Sequence, residues 1–343
     1  MKRKEEKMKF FDLFAGIGGF RLAFELEGYK CVGFCEIDQR IRELYKAVYD
    51  TEGEFEWDDV RTLPLDDVPD FDVLTAGIPC QPFSLVGRRE GLKDGRAYPL
   101  WSAMFRLIER KRPALCVFEN VKGLLSANRG WAFAYLLYKM DSLGYDGEWA
   151  VLNSKAFGVP QNRERLFVIF HLRGKSAPKV FPLRESDKVY YKPPKAQEEI
   201  HEDSEIAGTL TSRHYTNWEG NFVYDPNGKF KGKQALEKPL QVGYVGKTNS
   251  QANRVFSPEG IAPTLLSGGG GRGAKTGLYG IKNGKELKIR RLTPLECFRL
   301  QGFPDWVYQK ARKTGASDSL LYRAIGNAIT VQVAQTIARK LKK

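Results

Sequence analysis

Cysteine is scarce in this chain. Cys31, Cys35, Cys80, Cys116 and Cys297 are too few for a disulfide scaffold in 343 residues, and no CxxC pair among them offers a zinc site. Reduced thiols and no structural metal are expected. No apolar run is long enough to span a bilayer, and the opening MKRKEEKMKF leads straight into a strand-like segment without an apolar signal region. The chain therefore reads as cytoplasmic, with no membrane partner. Internal repeats are lacking too. A dinucleotide fingerprint is incomplete: FAGIGG supplies Gly16, Gly18 and Gly19, but Arg21 stands where the third glycine belongs, so the bound group need not be a pyrophosphate.

What the chain has is charge of one sign and a strand-rich first half. A formal net charge of +14 suits a polyanionic partner, because clustered Lys and Arg displace counterions from a phosphate backbone, although charge alone does not decide the partner. Hydrophobic residues make up 42% of the sequence, enough for a packed core. KFFDLF, CVGFCE, DVLTAG, ALCVFEN, EWAVLN and RLFVIF read as strands, and helix-period segments alternate with them, including Ile41, Leu44, Tyr45 and Val48. The expectation is an α/β, doubly wound sheet. After about Lys175 the regularity gives way to Pro-, Gly- and Lys-rich sequence, including KPPK and SGGGGRG, which reads as a smaller loop-rich domain.

Candidate chemistry gathers at strand ends, where open α/β sheets keep their ligands. GIPCQPFS places Cys80 just past the apolar run FDVLTAG, between two prolines that fix the backbone, and marks it as a nucleophile. A lone cysteine is more often a buried structural thiol, so the neighbouring segments carry the argument. Glu119, ending ALCVFEN, converges on the same sheet edge and suits proton donation to a ring nitrogen. In QNRERLF, Arg163 and Arg165 stand two apart on what reads as a strand start, so that both side chains leave one face and clamp a phosphate or a polar ring edge. Glu36 ends the second strand, placed to accept from ribose hydroxyls, and Asp59 after the next apolar turn is placed to read an exocyclic amine. Singly, such acids are ordinary caps and surface residues.

Taken in order, FDLFAGIGGF, GIPCQPFS, FENVKG, QNRERLF, RRLTPLECFRLQGFP and the closing GNA resemble the motifs of the bacterial DNA (cytosine-5)-methyltransferases, and the match spans nearly the whole chain. The resemblance implies a methyltransferase fold of Rossmann-like type with a second, target-recognition domain. It implies a catalytic and cofactor domain of residues 1–183 together with 312–343, and a recognition domain with hinge at 184–311. It implies S-adenosylmethionine as cofactor, S-adenosylhomocysteine as product, and double-stranded DNA as partner. A monomer is implied as well, working beside a cognate restriction endonuclease.

Carried onto this sequence, the catalytic set is Cys80, Glu119, Arg163 and Arg165. The cofactor pocket is Phe14, Gly16, Gly18, Glu36, Ile37, Asp59, Val60, Pro79, Leu100, Asn327 and Ala328. Ile37 departs from the aromatic residue often found there. Gln81, Ser84, Arg88 and Arg96 fall in a Gly- and charge-rich stretch that reads as a lid closing on DNA. SQANRVFSPEGIAPTLLSGGGGRG resembles the recognition loops of the HhaI-type subgroup, with Gln251 and Arg254 in the first loop and Thr264 and Gly271 in the second, which implies a GC-containing target. Two other classes share parts of this pattern. An RNA cytosine-5 methyltransferase has the same catalytic motifs, and a catalytically silent DNA-binding homologue would have lost one of Cys80, Glu119 and Arg165. A nucleotide-dependent oxidoreductase fits less, given the broken fingerprint at Arg21.

Overall fold

The computed structural model describes residues 7–79, 97–176, 178–190, 239–244, 253–258, 260–266, 276–283 and 286–342. They fall into two compact units. The first comprises Met1–Leu152, Glu164–Val189 and Val331–Lys343; the second comprises Asn153–Arg163 and Tyr190–Thr330.

The first unit is built on a seven-stranded sheet. Its strands are β1 (Lys9–Leu13), β2 (Lys30–Cys35), β3 (Phe55–Trp57), β4 (Val73–Gly77), β5 (Leu115–Val121), β6 (Tyr145–Asn153) and β7 (Glu164–Leu172). The order is β3-β2-β1-β4-β5-β7-β6. β1 pairs in parallel with β2 and β4, and β4 with β5, while β7 runs antiparallel to β5. Parallel strands are covered on both faces, which is why β1, β4 and β5 read as near-continuous apolar runs. Strand order reverses between β1 and β4. In such sheets ligands bind at the carboxyl ends of the strands at this switch point.

Helices α1 (Gly19–Leu26), α2 (Gln39–Val48), α3 (Ala97–Lys111) and α4 (Trp131–Ser142) follow in the same unit. α2 starts where Asp38 accepts from the amides of Arg40 and Ile41, and it buries Ile41, Leu44, Tyr45 and Val48, the residues its helical spacing singles out. Phe11 stacks on Phe71 at 5.5 Å in a core shared with Trp101 and Met104. The sequence then leaves for the second unit and returns as α8 (Val331–Lys340), whose Ala338 carbonyl accepts from the Tyr29 hydroxyl at 2.9 Å. Gln335 and Arg339 of α8 both hold the Glu27 carboxylate at the end of α1.

The second unit has a four-stranded sheet, β11-β10-β9-β8, formed by β8 (Gln241–Tyr244), β9 (Arg254–Phe256), β10 (Leu278–Asn283) and β11 (Glu286–Arg291). It also carries α5 (Pro294–Leu300), α6 (Asp305–Lys313) and α7 (Asp318–Asn327). Thr293 and Glu296 form a reciprocal capping box at the start of α5, with proline at its first position. Among the described residues, no helix is long and apolar enough to cross a membrane.

Candidate active site

β4 and β5 run side by side into the candidate site. Gly77 is registered against Glu119, the Ile78 amide donates to the Glu119 carbonyl at 3.2 Å, and the Asn120 side-chain amide donates to the Ile78 carbonyl at 3.3 Å. The chain is therefore fastened to β5 up to the residue before Pro79, and Pro79 is half-buried. Cys80, Gln81, Ser84, Arg88 and Arg96 lie outside the described residues, as do Gln251 and Gly271.

Glu119 is buried and forms an ion pair with Arg165, Nε to Oε1 3.1 Å. The antiparallel register of β5 and β7 sets this pair, since Val121 faces Arg165 and Glu119 faces Phe167. Arg165 also donates through Nη1 to the Glu164 carbonyl at 2.8 Å. A largely buried pair of this kind keeps a cation and a carboxylate ready at one polar edge, where ionic hydrogen bonds are stronger than in water.

Arg163 departs from the expectation that it shares a strand face with Arg165. β7 begins at Glu164, and Arg163 belongs to the second unit, with its guanidinium buried on three backbone carbonyls, those of Leu265, Gly326 and Ala328. Alternation along a strand does not reach a residue that precedes it.

The turn after β1 is an irregular one. Phe14 (φ 56°), Gly16 (φ 57°) and Gly18 (φ 82°) all take left-handed backbone. Gly18 is also demanded by packing, because a Cβ there would stand 2.4 Å from the Tyr49 ring. The Tyr49 hydroxyl donates to the carbonyls of Ile17 and Gly18 at 3.2 and 2.8 Å and holds the turn from below. Glu36 faces it from the end of β2. One carboxylate oxygen accepts from the Gly16 amide at 2.8 Å and the other from the Asp38 amide at 2.9 Å. Burial pushes this carboxyl above the ordinary glutamate value. Each oxygen keeps a second lone pair with which to accept from a ligand hydroxyl. Beside it Ile37 is exposed, offering an apolar face.

Asp59 caps the short 3₁₀ turn Val60–Thr62 by accepting from the Arg61 amide, and its carboxylate is also held by the Arg61 side chain. That hydrogen bonding keeps its carboxyl below the usual range. Val60 is buried and Leu100, on α3, is half-buried. Asn327 is exposed at the end of α7 and Ala328 is buried after it; both belong to the second unit. So do Arg254, which opens β9 opposite Tyr244, and Thr264, whose hydroxyl donates to the Asn162 carbonyl at 2.6 Å. Among the described residues no group of three or more His, Cys, Asp or Glu is arranged to hold a metal ion.

Sequence reasoning passed over the polar cluster beneath the turn. Asp12 accepts from Thr75 at 2.8 Å and from Tyr45 at 3.4 Å, and burial pushes its carboxyl up to about 7. Arg21, in place of the missing glycine, is buried between Glu54 (2.6 Å) and Glu25 (2.7 Å) and lies over the rings of Tyr45 and Tyr49. An acid inside the apolar strand KFFDL was the available signal.

The family model for C-5 cytosine-specific DNA methylase matches residues 8–343. Type II methyltransferase M.HhaI of Haemophilus parahaemolyticus is 35% identical to this chain, covering 96% of it and 93% of the relative. The orphan methyltransferase M.SPBetaI of Bacillus phage SPbeta is 30% identical over 98% of this chain and 97% of its own. In fold, the structure of the S. pombe Dnmt2 methyltransferase is similar, with a TM-score of 0.66 at 18% identity over 98% of each chain. So is a putative DNA modification methyltransferase encoded within an E. coli prophage, with a TM-score of 0.63 at 20% identity over 98% of this chain and 99% of that one.

Proposed function

Since this chain belongs to the C-5 cytosine-specific DNA methylase family, we propose that it methylates carbon 5 of a cytosine turned out of a specific, GC-containing DNA duplex. A base inside the stack presents neither face of its ring, so it must leave the duplex to react. S-adenosylmethionine supplies, when bound, the electrophilic methyl group.

The observation that carries this reading is the buried Glu119–Arg165 pair beside the end of β4. The Cys80 thiolate adds to carbon 6, and the electron pair of the 5,6 double bond moves toward carbon 5. Glu119 holds the proton at N3 while Arg165 donates to O2, so charge developing on the ring is met by groups already in place. After methylation the proton on carbon 5 leaves to water, and its electron pair expels the Cys80 thiolate and restores the double bond. Phe14, Gly16 and Gly18 shape the cofactor turn, Glu36 offers acceptors to the ribose, Ile37 offers an apolar surface to adenine, and Asp59, Val60, Pro79 and Leu100 join them; the closing-motif residues Asn327 and Ala328 are assigned to the cofactor by the family resemblance. The lone pairs left on Glu36 and the exposed Ile37 fit such a nucleoside.

Gln81 contacts the DNA, Ser84, Arg88 and Arg96 act on its backbone, Arg254, Thr264 and Gly271 read the target, and Gln251 stabilises the flipped state rather than choosing the sequence. In functional terms residues 1–183 with 312–343 form the catalytic domain, and 184–311 the recognition domain and hinge.

Labelled methyl from S-adenosylmethionine should enter duplex DNA and not tRNA, and sequencing of DNA from expressing cells should map one short GC-containing site. Cys80→Ser should abolish incorporation, and 5-fluorocytosine in the mapped site should trap an adduct at Cys80 only in the parent. An active serine variant sinks the nucleophile assignment, and labelled tRNA in place of DNA sinks the substrate.

A further inference from the structure

Arg163 is buried deeply enough that its charge must be answered from within the protein, at 2% exposure. Its Nη1 donates to the Leu265 carbonyl at 3.2 Å, and its Nη2 donates to the carbonyls of Gly326 and Ala328 at 3.3 and 2.9 Å. One rigid fork thus grips two segments far apart in the sequence. Its neighbours reinforce both grips. On one side Asn162 N donates to the Ala262 carbonyl at 2.9 Å, Ala262 N to the Pro160 carbonyl at 2.7 Å, and Thr264 Oγ1 to the Asn162 carbonyl. Gln161 accepts from Leu265 N at 3.3 Å and donates to the Leu300 carbonyl at 2.8 Å. On the other side the hydroxyls of Ser154 and Thr330 share a bond of 2.7 Å, and Thr330 donates to Gln301 at 2.9 Å.

We propose that Arg163 is a positioning residue that couples target recognition to cofactor binding, by holding the Ala262–Leu265 segment and the Gly326–Ala328 segment on one guanidinium. This rests on the preceding reading, which puts Thr264 on DNA and Asn327 with Ala328 on the cofactor. Ligand that orders either segment fixes the fork, so the second ligand meets a site whose ordering entropy is already spent. The effect is reciprocal by linkage. Lysine, a point charge, cannot reproduce it, because only a planar fork serves separated carbonyls at once.

The test measures the dissociation constant of S-adenosylhomocysteine with and without a duplex carrying the mapped site. In the parent the duplex should tighten binding about tenfold, within the usual range for coupled sites. In Arg163→Lys and Arg163→Ala that ratio should fall close to one, and the tightening of DNA binding by S-adenosylhomocysteine should fall by the same factor. A merely structural role would lower melting temperature and both affinities while leaving the ratio as it was, and that outcome overturns the proposal. Hydrogen exchange of the parent alone gives an independent measurement that stands even where a variant fails to fold. S-adenosylhomocysteine without DNA should protect peptides spanning 261–266 as well as 324–330, and unchanged exchange at 261–266 overturns the proposal. A parent that methylates DNA but shows a ratio of one sinks the coupling alone, whereas a parent that binds no S-adenosylhomocysteine sinks the enzymatic reading beneath it.

Discussion

Gly18→Ala should destabilise the first unit several times more than Gly16→Ala, although the two glycines share one turn. Both sit at positive φ, 82° and 57°, where an L side chain costs about 1 to 2 kcal/mol. At Gly16 that is nearly the whole penalty, because no heavy atom lies within 4 Å of the new Cβ. Alanine also restricts the unfolded chain, which offsets about 0.4 to 1 kcal/mol, so the net loss is about 1 kcal/mol. At Gly18 the Cβ meets Tyr49 Cε2 at 2.4 Å, Cζ at 2.8 Å and Oη at 2.9 Å. The ring has little room to retreat, since its hydroxyl is bonded to the carbonyls of Ile17 and Gly18 and Arg21 lies over its face at 5.3 Å. Overpacking adds about 1 to 3 kcal/mol to the same net backbone cost, for a total of roughly 2 to 4 kcal/mol. Urea unfolding of the three proteins at equal m-value reads these losses directly. Equal midpoints for the two variants, or the reverse order, would show that Tyr49 does not impose the glycine.

Asp12→Asn should flatten the dependence of stability on pH. Between the ordinary aspartate value of 3.8 and about 7, folded Asp12 keeps a proton that the unfolded chain has released, so parent stability falls as pH rises and the loss is complete above about 7. From pH 5 to pH 7 the loss amounts to about 2 kcal/mol, and urea midpoints that drift identically in parent and variant would refute the assignment. Cys31, Cys35, Cys116 and Cys297 are buried, and burial pushes all four thiols up. Iodoacetamide at pH 8 should therefore modify Cys80 alone in the native protein and all five cysteines in urea; peptide mapping that finds any of the four labelled as fast as in urea contradicts this.

Six strands of the large sheet were legible because each is an apolar run of β-favouring residues, and the end of β5 was legible as the place of Glu119, which the structure pairs with Arg165. β3 was not, since Phe55–Trp57 is too short to show a period and is held by pairing with β2 rather than by its own pattern. Arg163 misled for a different reason. Its sequence offset from Arg165 is that of a strand face, but the strand starts one residue later, and only the tertiary partners Leu265, Gly326 and Ala328 reveal where the guanidinium goes. The antiparallel entry of β7, which sets Arg165 beside Glu119, is likewise a matter of long-range register that no local pattern encodes.

The return of α8 to the first unit has a consequence in time. α8 covers α1 and ties down Glu27 and Tyr29, but it leaves the ribosome only after the whole intervening second unit. At synthesis rates of about 5 to 20 residues per second, the roughly 140 residues between Tyr190 and Thr330 take on the order of 10 to 30 s. During that interval the nascent sheet waits with the α1 surface bare. A protease added to stalled nascent chains should cut the α1 region for as long as α8 has not emerged from the ribosome, and slow codons in the second unit should prolong that window.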